Sequence, residues 1–162
     1  MIVQIDPKYI PYKRKIQYLC RLPYYGHSRG CINFGKKKGC PPGQPLIDKV
    51  LVFEKDVYLI YTVFEVGKFA QRMETLHPEW KDYPRQQYNP RRWQPKARKI
   101  HRAEEKKAVE EFGLTKIVNS PEAHGVNVTG LMKHIGIKLE WKWPPEKKSS
   151  TVYLVSLGGY KA

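Results

Sequence analysis

Cysteine is scarce in this chain of 162 residues, and what there is stops early, at Cys20, Cys31 and Cys40. An odd number, with no apolar leader-like run in Met1 to Pro11, argues against a disulfide framework and against secretion. Long apolar runs are also missing, and none approaches the roughly 18 residues that cross a bilayer. The expectation is a soluble, cytoplasmic protein with no membrane partner. Acidic residues are few, 15 Asp and Glu against 30 Lys and Arg, which leaves a formal charge of +15. No G-x4-G-K-S/T, G-x-G-x2-G, G-x-S-x-G or H-E-x2-H pattern occurs, so P-loop, dinucleotide, serine-hydrolase and zincin chemistry have no local support. No internal repeat is visible.

What the chain does have is aromatic mass. Four Trp, 11 Tyr and 5 Phe argue against disorder, and 41% apolar residues suffice for a core. The length is that of a single domain, residues 1–162. The positive charge is concentrated in two segments. Residues 1–49 carry ten basic and two acidic side chains, and residues 85–107 carry nine and two. Clustered Lys and Arg release counterions on meeting a polyanion, so tRNA or another nucleic acid is the expected partner. A hydrated basic surface without a partner is the plainer alternative.

The pattern predicts an irregular N-terminal region over 1–49, rich in Cys, Gly and Pro, followed by an α/β body over 50–162. Leu46 to Phe53 and Val57 to Phe64 read as strands, the second apolar on both faces and therefore buried. Glu65 to Leu76 reads as a helix ended by Pro78. Residues 78–95, with four prolines, read as a long basic-aromatic loop. Lys96 to Phe112 is the strongest helix, with Gly113 as its C′ residue. A strand at Leu114 to Val118, a helix at Thr129 to Ile135, and strands at Ile137 to Trp143 and Thr151 to Leu157 complete an α/β or α+β single domain. Its expected core is a mixed β-sheet flanked by helices.

Cys20-x10-Cys31-x8-Cys40-Pro-Pro is the chemical centre of the sequence. Gly and Pro punctuate it too often for a helix or central strand, which suits a loop ordered by a ligand. Thiolates select zinc, copper(I) or iron–sulfur clusters. Structural zinc sites draw cysteines from tight C-x2–4-C knuckles, which are absent here. Wide gaps suit a cluster whose irons occupy separate corners, and three cysteines leave the fourth iron of a 4Fe–4S cluster open. Zinc held by the three cysteines and His27 is the alternative, and three unligated cysteines the bland one.

Cys31-Ile-Asn-Phe-Gly-Lys-Lys-Lys-Gly-Cys40-Pro-Pro resembles the C-x-N-Y/F-G-K-x3-C-P-P signature of an uncharacterised prokaryotic family of predicted metal-binding proteins. Ser120-Pro-Glu-Ala-His-Gly-Val-Asn-Val128 is similar to that family's P-x-x-E-A-x-G-I/V-D/N-V stretch. Thr151 to Leu157 resembles its final strand, and Lys96 to Phe112 falls where the family has a His- and Glu-bearing helix. Family members carry a further C-x2-C pair where this chain has Asn119 and Ser120. The resemblance implies a metal and sets Glu122 beside the cysteine loop, but implies no reaction.

Glu122 and His124 are the acid–base candidates, with a backbone-capping turn as their plainer role. His101 and Glu104, beside the apolar face of the long helix, are expected to support the site from behind. Lys36, Lys37 and Lys38 inside the loop, and Arg91, Arg92 and Trp93 beyond it, are the expected contacts for an anionic substrate or nucleic acid. Together these suggest an iron–sulfur protein with an open iron, acting in sulfur or nucleobase chemistry. The rival is a non-enzymatic, nucleic-acid- or partner-binding module whose zinc or iron is structural.

Overall fold

A computed structural model describes residues 1–24, 26–145 and 150–162. In chain order the regular elements are strand β1 (Ile2–Ile5), helix α1 (Arg14–Gln17), strand β2 (Val57–Phe64) and helix α2 (Val66–Leu76). There follow α3 (Pro84–Gln87), α4 (Pro90–Phe112), β3 (Lys116–Val118), α5 (Val128–His134) and β4 (Val152–Gly159). The four strands form one sheet in the order β1-β2-β4-β3. Helices beside a sheet in one α+β domain agree with the sequence. Among the described residues all three strand pairings are antiparallel, however, and no parallel ladder joins the sheet that the sequence led us to expect as mixed.

β2 is the central strand, and its period-2 alternation sorts two cores. Leu59 pairs with Leu157 and Thr62 with Leu154 across the β2–β4 ladder, so each face is continuous over both strands. Val57, Leu59 and Tyr61 face a core built with Ile47, Leu51, Val126, Leu131, Met132 and Leu157. Ile60 and Phe64 face the opposite side, where α4 lies across β2 and β4. Coverage on both sides explains why VYLIYTVF is apolar throughout, although its neighbours run antiparallel.

Helix α4 begins six residues earlier than the sequence suggests. Asn89 caps it by accepting from the Arg91 N–H at 3.1 Å, and Pro90 occupies the first helical position, where a missing N–H costs nothing. Pro84 does the same for α3. Residues 78–95 are therefore mostly short helical turns, not an open loop.

Two expected strands are absent from the ladder. Leu46 to Phe53 instead holds a 3-10 turn (Ile47–Lys49) and one bridge, Leu51 to Lys161. Ile137 to Trp143 is extended chain without a described strand partner, with Leu139 packed on the core. Conversely, Ile2–Ile5 joins the sheet, so the N-terminal region contributes an edge strand as well as a loop. Among the described residues no helix is long and apolar enough to cross a membrane.

Candidate metal centre

Cys20 sits in the 3-10 turn Tyr18–Arg21 that follows α1, and the chain then doubles back on itself. The Cys31 N–H donates to the Cys20 carbonyl at 2.7 Å. This crossing requires Gly30: its φ is +76°, and a Cβ there would meet the Arg21 carbonyl at 2.6 Å. Further along, Gly35 N–H donates to Pro41 O at 2.8 Å and Cys40 N–H to Lys37 O at 3.0 Å. Backbone bonds thus close the loop where side-chain packing is thin. All three cysteines are half-buried free thiols.

The Cys20 thiol feels the other two. Burial pushes the Cys20 thiol up, and the charges of Cys31, Cys40 and Glu122 push it further in the same direction. Tyr24 joins them. Burial raises its phenol, as do the charge of Cys31 and a hydrogen bond to that thiol. Burial also raises the Glu122 carboxyl. Glu122 nonetheless keeps an exposed surface. Among the described residues, no three His, Cys, Asp or Glu side chains converge closely enough to hold one ion.

The turn that carries Glu122, Pro121–His124, is fastened to the cysteine segment by several bonds. Gln17 is fully buried, and its amide donates at 2.8 Å both to Gln44 O and to Ala123 O. The His124 ring meets Pro45 O at 2.8 Å, and Lys13 N–H donates to Gly125 O at 2.8 Å. Gly125, at φ +80°, ends the turn where a Cβ would strike Leu46 at 2.7 Å and Lys13 O at 2.8 Å. His124 is therefore engaged with the backbone.

The other sequence candidates are dispersed. Lys36, Lys37 and Lys38 are exposed at the loop tip. His27 is exposed and stacks on Tyr24 at 4.6 Å. Arg91 and Arg92 are exposed in the first turn of α4, and the Arg92 guanidinium lies 4.1 Å from the Trp80 ring centroid. Trp93 departs from the expected basic-aromatic contact surface: it is 6% exposed, stacks on Phe64, and donates its indole N–H to Tyr88 O at 3.1 Å.

His101 and Glu104 belong to the helix–sheet side of the molecule. The His101 ring bonds Thr62, Ser156 and Glu105. Glu104 pairs with the Met1 ammonium at 2.8 Å, and that bond holds its carboxyl below the ordinary range against the effect of burial.

Sequence reasoning passed over Tyr24 and Gln17, and for different reasons. Tyr24 stands amid the cysteines and was readable as a neighbour. A buried glutamine bridging two distant carbonyls leaves no local signal. Between the loop and the start of α4 lies a cavity of about 1080 Å³, reached by Tyr24 and His27 from one side and by Asn89 to Arg91 from the other. In the comparisons with known proteins, no family model, curated protein or solved structure matches the chain.

Proposed function

We propose that Cys20, Cys31 and Cys40 hold an iron–sulfur cluster with one iron position open beside Glu122, and that the protein acts in sulfur or nucleobase chemistry on tRNA. The observation that carries this reading is the fold's gathering of the cysteine segment and the Glu122 turn, with the charges of Cys31, Cys40 and Glu122 all felt at the Cys20 thiol. A single zinc would need every sulfur at about 2.3 Å from one centre. When bound, such a cluster supplies a Lewis-acidic iron or a sulfur store.

The chain's own residues do the rest. Tyr24 offers its hydroxyl to the Cys31 sulfur. Glu122 stands beside the thiols as the group able to give or take a proton at the open side. Lys36, Lys37 and Lys38 offset negative charge at the loop tip. The raised Cys20 thiol means that loading the centre expels a proton.

Protein purified without oxygen should carry about four iron and four acid-labile sulfide per chain, with broad absorption near 400 nm. Cys31→Ala and Cys40→Ala should each abolish that loading. Full iron content in both variants would overturn the ligand assignment. The second reading, a binding module with a structural zinc or iron, is favoured by the exposed basic side chains along α4. One zinc, no sulfide and His27 required for its retention would decide for it.

A further inference from the structure

We propose that the cavity between the cysteine loop and the start of α4 is a nucleotide-binding site, taking a free nucleotide or one residue of a single RNA strand. The inference rests on the nucleobase side of the function proposed above and not on the cluster. A volume of about 1080 Å³ slightly exceeds the range for small-molecule sites, about 300–1,000 Å³. Three of the four tryptophans, Trp93, Trp141 and Trp143, line it.

The tryptophans divide the work. Trp143 is fixed by Trp93, with ring centroids 5.9 Å apart, and by an edge contact with Tyr88 at 5.8 Å. That makes a stiff aromatic wall. Trp141 is 70% exposed. Leaving an indole in water forgoes the burial its surface would otherwise gain, and at a cavity mouth it presents a face for stacking.

Charge selects among aromatic-loving ligands. Among the described residues, Arg85, Arg91 and Lys142 line the cavity with one carboxylate, Glu140. A quaternary ammonium would suit the rings but be repelled by these cations. A ligand with a flat π-face and an anionic tail matches both, and a nucleotide is that ligand. Helical period continues the path outward: Arg98 and Arg102 fall on the same exposed stripe of α4 as Arg91, able to meet the phosphates of adjoining residues.

The test is calorimetric titration of the oxygen-free protein with AMP, GMP, CMP and UMP, with the matching nucleosides, and with a short single-stranded RNA. Iron and sulfide are determined on the same samples. At least one monophosphate should bind, and Trp141→Ala should weaken it by roughly 5- to 150-fold, the usual span for loss of one stacking ring. Because Trp141 is largely exposed, that variant should fold normally, which its thermal transition will report. Arg91→Gln should weaken the monophosphate but not the nucleoside. Sensitivity of RNA binding to Arg98→Gln and Arg102→Gln identifies a strand as ligand, and indifference to both identifies the free nucleotide. No binding by any monophosphate or by RNA, or an unchanged affinity in Trp141→Ala, would overturn the inference. Nucleotide binding by protein that never loads iron would sink the cluster alone, and a loaded cluster without nucleotide binding would sink only the cavity assignment.

Discussion

His101 is 7% exposed, yet neither ring nitrogen lacks a partner. Nδ1 lies 2.9 Å from Thr62 Oγ1, while Nε2 lies 3.1 Å from Ser156 Oγ and 3.3 Å from Glu105 Oε1. The Glu105 carboxylate accepts, so Nε2 carries the proton and Nδ1 accepts from the Thr62 hydroxyl. Serine, histidine and an acid are the ingredients of a nucleophilic relay, but there the hydroxyl and the acid sit on opposite nitrogens. Here Ser156 and Glu105 share Nε2 while Thr62 holds Nδ1, and both hydroxyls are buried, Thr62 at 6% and Ser156 at 0% exposure. The group therefore reads as a buried polar joint between α4 and the sheet. Burial drives the Glu105 carboxyl up, but hydrogen bonds from His101, Ser156 and Asn119 outweigh it and leave it below the ordinary range. A carboxyl lowered on folding stabilises above its unfolded value, about pH 4.3, and loses that contribution as pH falls through the folded value. Glu105→Gln should thus cost about 1–3 kcal/mol at neutral pH in urea unfolding, with the gap to the unchanged protein closing in acid. A gap that stays constant with pH would rule out the carboxylate charge as its source.

At the scale of elements, α4 packs across the two central strands, β2 and β4. Its buried positions, Trp93, Ala97, His101, Glu105 and Ala108, recur at helical spacing and face the sheet. It also runs through Pro95, which removes one backbone donor from its interior. Burial of Trp93 between Phe64 and Trp143 helps offset that cost. Trp93→Ala should destabilise by about 3–5 kcal/mol, read as a lower midpoint in denaturant. A shift below 1 kcal/mol would mean that the wall is not held by this residue. The end of α4 was legible from Gly113, which adopts φ +62°. Its start was not, because prolines announce loops and helix N-termini in the same letters. Apolar runs such as Leu46 to Phe53 signal burial reliably. They say nothing of whether a neighbouring strand has hydrogen bonds to spare, and here only Leu51 finds a bridge. The four letters of β1 were too few to display a period.

Over the whole molecule, the excess of cations was plain in the sequence, but its distribution in space was not. Folding leaves Lys36 to Lys38 on the loop tip and Arg91, Arg98 and Arg102 on α4, all exposed. Single-stranded RNA that meets these groups should bind with strong salt dependence, a slope of log affinity against log salt near −0.7 per phosphate contact. Filter binding between 50 and 200 mM salt measures it. A slope near zero would show that stacking alone holds the strand. The cysteine arrangement was legible as a spacing and its partner Glu122 only through the family resemblance, since 82 residues of chain separate Cys40 from Glu122. The tie between them is Gln17, whose amide is saturated by Gln44 and Ala123 without help from any thiol. The entropy of bringing the two arms together is thus lost during folding, and the cysteine segment and the Glu122 turn stay joined whether or not anything sits between them.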